Sequence, residues 1–272
     1  MDSPGPSEWL WKEGGDYYTD SEAALMANPY LPKPHYLRDL RMMKTLCDEG
    51  GAVPGSEVLE IGCGRSPWLA YLAREGCRVS GIEIESHAAR LARANLVGAK
   101  ASGEIYCRDA FNLQQNMDLR GKFDLVFSLG VIEHLDAVTE KLRVLASYLK
   151  PGGRIVSMVP NLQGVNWFMQ RFGSLPVLQA HVVYTTQTLR EVHEQAGYET
   201  AATKYLGFFD GFLTNSAGER SSIKRQAHHA LCRIMGLSAA CWSRAGLPTV
   251  EWRWTAPLVI YVGVLRSPGR DS

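Results

Sequence analysis

The chain has 272 residues, 46% of them hydrophobic and 21% charged, with net charge +1 and a pI near 7.6. That length holds one full α/β domain with additions, and the near-neutral balance gives no global attraction for nucleic acid or an acidic membrane. Six cysteines without a C-x-x-C pair argue against a zinc site and a disulfide framework. The polar start MDSPGPSEWLWKEGG lacks an apolar signal core and no apolar run reaches spanning length, so the expectation is a cytoplasmic protein without stable membrane insertion.

Residues 1–50 read as a helical lead or lid, broken at Asn28-Pro29 and at Leu31-Pro32-Lys33-Pro34. From Ser56 strand and helix patterns alternate. Strands are predicted over 56–61, 78–84, 102–107, 123–129 and 154–159, and helices over 67–75, 86–96 and 137–149. Lys150-Pro151-Gly152-Gly153 reads as a turn. After Pro160 the rhythm changes: 164–179 is apolar and aromatic, 186–195 restores a helix and 199–209 a strand. Residues 210–256 read as a helical insertion carrying Trp242, Trp252 and Trp254, and 257–265 as the last strand. The pattern implies an α/β fold with a doubly wound, seven-stranded, mostly parallel sheet. The core is assigned to 51–209 and 257–268, and the insertion at 210–256 to a cap over the acceptor. Cys63, Cys77 and Cys107, in strand or turn patterns, are expected to be core thiols.

The run Val58-Leu59-Glu60-Ile61-Gly62-Cys63-Gly64 is a buried-strand pattern that contains an acid and opens into a glycine turn, followed by Ser66-Pro67 at a helix start. Glycines there let a ligand approach the backbone closely. A dinucleotide is disfavoured, because Pro67 holds the third glycine position of G-x-G-x-x-G and Glu60 would oppose a pyrophosphate. A carboxylate suits a cationic ligand such as S-adenosylmethionine, with its sulfonium and amino group. The bland alternative is a solvated strand-end charge; against it, a carboxylate inside VLEIG is costly to bury without a partner.

Taken in order, VLEIGCG, GIEIES, RDAFN, FDLVFSLGVIEHL and LKPGGRIV resemble a class I S-adenosylmethionine-dependent methyltransferase of the small-molecule type, related to ubiquinone-biosynthesis O-methyltransferases. The resemblance is strong over 56–161 and weaker over 184–265. It implies a Rossmann-like fold, S-adenosylmethionine as cofactor and S-adenosylhomocysteine as product. Glu60, Gly62, Cys63 and Gly64 would surround the methionine part. Glu83, ending the second strand, would accept from the ribose hydroxyls. Asp109, with Ala110 and Phe111, would meet the adenine, and Ile84 and Phe111 would sandwich it. Ser128 and Leu129 would lie beneath the ligand. Tyr18 and Arg38 of the lid would reach the cofactor, Arg38 toward its carboxylate. Glu85 reads as a helix N-terminal charge and Asp124 as structural.

On the acceptor side, His134 and His181 are the candidate bases. Each also has a plain reading, His134 as cofactor packing and His181 as a floor residue. Asn161, Trp167 and Phe168 are candidate substrate contacts, with ordinary core packing as the alternative for the aromatics. Related enzymes carry E-x-x-E-H, which can hold a divalent metal. Gly130 replaces the first Glu here, leaving Glu133 and His134, and no metal is expected. His228-His229 reads as a solvated helix face.

The expected function is methylation of an oxygen or nitrogen on a small, partly apolar metabolite such as a secondary metabolite, a quinone or a lipid- or sugar-linked acceptor. The partner is a small-molecule acceptor and not nucleic acid, with oligomerisation left open. RNA or protein methylation and a non-catalytic cofactor-binding module stand as alternatives. Bilayer contact through the Trp-rich insertion is a further reading of that segment.

Overall fold

The computed structural model describes residues 21–33, 37–210, 214–216 and 221–266. Tyr18 lies outside the described residues. Seven strands form one sheet: β1 Glu57–Ile61, β2 Arg78–Glu83, β3 Gly103–Cys107, β4 Phe123–Leu129, β5 Leu149–Pro160, β6 Tyr198–Leu206 and β7 Leu258–Leu265. Their order is β3-β2-β1-β4-β5-β7-β6. All pairs from β3 to β5 are parallel, and β7 runs antiparallel to both β5 and β6. The expected Rossmann-like, mostly parallel sheet is therefore present.

The helices are α1 Glu22–Ala27, α2 Leu37–Lys44, α3 Pro67–Arg74, α4 Ser86–Gly98, α5 Val138–Ala146, α6 Gly164–Gly173, α7 Leu175–Gln179, α8 Thr186–Gln195 and α9 Ser222–Arg244. Two apolar layers cover the sheet, because successive strand residues point to opposite faces. Val58, Leu125 and Phe127 pack against α2, α3 and α4 through Met42, Leu46, Trp68 and Leu69. Leu59, Ile61 and Val126 face the other way, onto α5 and α8 through Leu142, Leu145 and Leu189.

Local chemistry sets the helix starts. Ser66 accepts from the Trp68 N–H at 3.0 Å, with Pro67 in the first turn of α3. Glu85 accepts from the N–H groups of His87 and Ala88 at the start of α4, the helix-terminal role predicted for it. Thr185 and Thr188 form a reciprocal capping box on α8. Asp124 accepts from Lys150 Nζ and from the Glu57 N–H, far from the carboxyl ends of the strands, and is structural as expected.

Some boundaries differ from the sequence reading. Lys150–Gly153 was expected to be a turn; it belongs to β5, as an irregularity in register against β4 between Phe123 and Leu125. Cys63 and Cys77 are core thiols, but Cys107 is exposed. His228 is buried, not solvated: its Nε2 lies 3.0 Å from Thr214 Oγ1.

Candidate active site

The strand order reverses between β1 and β4, so their carboxyl ends open a crevice where ligands bind in such sheets. Ile61 stands beside Ser128 in the register, and the chain leaves each strand through a glycine turn. Gly62 has φ +67°, and a Cβ there would come within 2.7 Å of Val131 Cγ2. That close approach and the left-handed backbone restrict the position to glycine. Gly64 also has positive φ, and its N–H donates to Glu83 Oε2 at 2.9 Å.

Three acids border this crevice. Glu60 is 2% exposed and its Oε2 has no hydrogen-bond partner. Burial drives its pKa well above the usual carboxylate range; the Ser66 side chain opposes this, and Glu83 adds to it. Glu83 is also buried and raised by desolvation, although the Glu85 and Gly64 N–H groups bond its oxygens. Those bonds leave lone pairs, since an ionised carboxylate has about four acceptor sites. Asp109 accepts from the Phe111 N–H at 2.8 Å, and Asn116 donates to its carbonyl at 2.7 Å. Ala110 is fixed by the Tyr148 hydroxyl, which donates to its carbonyl. Ile84 is 66% exposed, and Phe111 is half-buried beneath Lys141.

The residues present fit S-adenosylmethionine. Glu60 Oε2 and Ser128 Oγ are buried polar atoms without a hydrogen-bond partner among the described residues, and such atoms ordinarily find one. Two clustered acids around positive-φ glycines favour a cation and oppose a pyrophosphate. Cys63 is enclosed, its thiol against Gly81, so the backbone is the part it can offer.

After β4 a short turn, Ile132–His134, carries Glu133 and His134. The fold brings His181 against them from the loop after α7. The two imidazole centroids are 4.3 Å apart, edge to face, and His134 Nε2 lies 4.0 Å from Glu133 Oε1. Burial and the neighbouring His181 hold His134 down to about 4. Burial also lowers His181, whose Nδ1 sits 2.5 Å from the Val177 carbonyl oxygen. A carbonyl only accepts, so that nitrogen carries the proton and Nε2 is left as the acceptor. Burial pushes Glu133 up to about 8, and neither of its carboxylate oxygens has a hydrogen-bond partner. Burial thus favours the uncharged forms of all three groups.

The same three groups have ligand atoms within 4.8 Å of one another. Sequence spacing supplied two ligands in one stretch; His181, 47 positions beyond His134, supplies the third. This set could take a divalent cation if acceptor or solvent atoms completed its shell.

Beyond β5, Trp167 and Phe168 line an open cleft of about 500 Å³ with Leu162, Gln163, Arg253 and Trp254. The insertion segment thus meets α6, where Gly164 lies against the Trp254 backbone. Two expectations need correction. Asn161 is fully buried, and its amide donates to the carbonyls of Arg253 and Ala256 while Gln163 donates to its oxygen. It ties the insertion to β5, with both amide protons spent on those carbonyls. Arg38 pairs with Asp39 at 2.9 Å and Asp210 at 2.8 Å, beside Gly207 beyond β6. Its guanidinium answers the chain's own carboxylates rather than a ligand's.

Sequence reasoning gave Glu133 no part beyond ligation, and it missed Gln163, which links Asn161, the Tyr184 carbonyl and the Tyr205 hydroxyl. The acid beside His134 was a usable signal; nothing local marked Gln163.

Comparison with known proteins bears on the same region. A family model described as a methyltransferase domain matches residues 33–203. The ubiquinone biosynthesis O-methyltransferase of Sodalis glossinidius is 27% identical over 146 residues, which are 53% of this chain and 57% of that protein. The chain thus spans a little over half the length of such curated relatives. A SAM-dependent methyltransferase from Archaeoglobus fulgidus superposes with TM-score 0.53 at 16% identity, over 94% of this chain and 97% of that one. The [4+2]-cyclase SpnF superposes with TM-score 0.57 at 16% identity, over 84% of this chain and 80% of its own. With the family model matching well over half of the chain, across the strands that form the crevice, the chain belongs to the class I S-adenosylmethionine-dependent methyltransferases.

Proposed function

We propose that this chain transfers the methyl group of S-adenosylmethionine to an oxygen, or a nitrogen, of a small, partly apolar metabolite. The observation that carries this reading is the pair of imidazoles of His134 and His181, 4.3 Å apart beyond the carboxyl end of β4. Support comes from the apolar cleft beside Trp167 and Phe168 and from relatives named for O-methylation of a quinone precursor's pathway. Fold by itself does not fix the chemistry, as the cyclase neighbour illustrates.

Bound at the glycine turn, the cofactor supplies a methyl carbon already activated by a sulfonium. Glu60 faces its positive charge. Glu83 accepts from ribose hydroxyls while holding Gly64 in place. Asp109, Ala110 and Phe111 border the adenine, with Ile84 opposite, and Ser128 and Leu129 form the floor. One imidazole would take the proton of an acceptor hydroxyl as its oxygen gains the methyl group, leaving that proton on the ring. Such a base contributes roughly 10²–10⁴ in rate, and positioning of the two reactants supplies much of the remainder.

The 21–50 segment is read as a lid that excludes water. Its Tyr30 backbone exchanges hydrogen bonds with the Asn95 side chain, which also donates to the Ser66 carbonyl at the glycine turn. A metal-assisted variant rests on the Glu133, His134 and His181 cluster, where a cation would hold the acceptor oxygen.

The test is an acceptor screen with labelled cofactor, read by mass spectrometry, with and without a chelator. The base reading expects methylated product unaffected by chelation and lost in His134→Ala or His181→Ala. Full turnover in both variants removes it, and abolition by the chelator replaces it with the metal-assisted one.

A further inference from the structure

Helix α9 has 23 residues and contains no Asp or Glu, but carries Lys224, Arg225, Arg233 and Arg244. Its inner side docks through His228 and Cys232, which are 1% and 4% exposed, near Thr214 and Gly173 of α6. Its opposite side is apolar. Ile223, Ala230, Ile234, Leu237 and Cys241 follow one another at intervals of seven, four, three and four, so they form a single stripe. That stripe points away from the body: Ile223 is 79% exposed, Ile234 61% and Leu237 65%.

Near α9, aromatic and cationic groups form a second exposed cluster. Trp242 packs against Phe208, just beyond β6. Arg253 lies 5.1 Å from the Trp254 ring centre and 6.0 Å from that of Trp252, and Arg171 lies 5.5 Å from that of Trp167. Phe168 stands 64% exposed beside them. A soluble surface rarely leaves large aliphatic and aromatic groups exposed together unless they meet something.

Charge decides between the candidates. Two copies joined through their α9 stripes would bring Arg233 and Arg244 toward their own counterparts, and the helix has no acid to answer them. An anionic bilayer answers both features. Aliphatic side chains enter the acyl boundary, cationic ones meet lipid phosphates, and tryptophans sit at headgroup level. We propose that α9 and the adjoining Trp–Arg belt form a peripheral docking surface for an anionic lipid bilayer.

Arg253 and Trp254 belong to this belt and also line the cleft assigned to the acceptor. Docking therefore sets the cleft mouth at the lipid surface, so the acceptor class is an apolar molecule resident in the bilayer. This last step rests on the acceptor-cleft reading above; the docking itself does not.

The test is co-sedimentation of the full chain with phosphatidylcholine vesicles and with vesicles containing phosphatidylglycerol, which requires no turnover. Binding is expected to the anionic vesicles and to weaken with added salt. The double variant Ile234→Asp/Leu237→Asp, at exposed positions, should lower the bound fraction about tenfold or more with an unchanged melting temperature. Arg233→Glu/Arg244→Glu should lower binding to anionic vesicles by about thirtyfold or more. The proposal is overturned if the wild-type chain ignores anionic vesicles at low salt or if neither variant changes binding. It is also overturned if sedimentation shows a dimer that Ile234→Asp/Leu237→Asp disperses, since the stripe then serves a second copy. Docking without turnover would sink the acceptor reading alone; turnover without docking would sink this one.

Discussion

The two halves of the crevice are built by different rules. On the cofactor side, Glu60, Glu83 and Asp109 come from or just after three consecutive strands, and each is placed by parallel register and a glycine or Asx-type turn. Glu60 and Glu83 are buried there, and burial raises both carboxyls. On the acceptor side, His134 and His181 meet across 47 residues, and Trp167 meets Trp254 across 87. That side is apolar and open, held by carbonyl contacts from Asn161 and Gln163 rather than by strand geometry. Charged groups gather where the local backbone is held by strand register; apolar groups gather where distant segments converge.

The contrast predicts separable losses. The largest is His134→Ala: turnover should fall roughly 10²–10⁴-fold while cofactor affinity holds, as read by kcat beside calorimetric Kd. A matching loss of cofactor affinity would mean that the two halves are not independent. Next is Glu83→Ala, which removes an acceptor of charge-assisted bonds. Cofactor affinity should fall about a hundredfold, or roughly 3 kcal/mol, with little change in turnover at saturating cofactor. Unchanged affinity would move the cofactor out of this crevice.

A third experiment tests the scaffold between the halves. His193 is fully buried, bonded to Ser157 Oγ at 2.7 Å and to the Leu189 carbonyl, and burial lowers its pKa to about 4. The unfolded chain takes up that proton near the ordinary value of 6.5, and the folded chain resists until about 4. Stability from this group is thus complete above 6.5 and is lost as pH falls toward 4. Urea unfolding should show about 2 kcal/mol lost between pH 6.5 and pH 5, and His193→Gln should flatten that slope. An equal slope in the variant assigns the acid sensitivity elsewhere. The smallest effect on stability is expected for Phe168→Ala at its exposed position, within about 0.5 kcal/mol. Its acceptor KM should nonetheless rise, and an unchanged KM would take Phe168 out of the cleft's work.

Much of the sheet was legible because its cues are local. Phe123–Leu129 was predicted with its observed bounds, and the α3 and α8 starts follow from Ser66-Pro67 and Thr185. The position of the three acids at the crevice was legible for the same reason, since strand ends and turn glycines mark where a parallel sheet opens. The misread site and surface residues have partners elsewhere in the chain. Asn161 looked like a pocket residue because it follows a strand, yet its partners lie 92 and 95 residues away. Arg38 looked like a lid cation, yet Asp210 had already claimed it. His228 looked solvated beside Lys224 and Arg225, yet Thr214 and α6 bury it.

By itself the amino-acid sequence determined the strand–helix alternation, the glycine turn and the acids around it, because periodicity, capping and turn chemistry act over a few residues. Only the tertiary structure decided that His181 joins His134 and Glu133, that Asn161 is a brace, and that the α9 stripe faces outward. Those depend on which distant surfaces exclude water together, and burial of that kind is not written in any short stretch of chain.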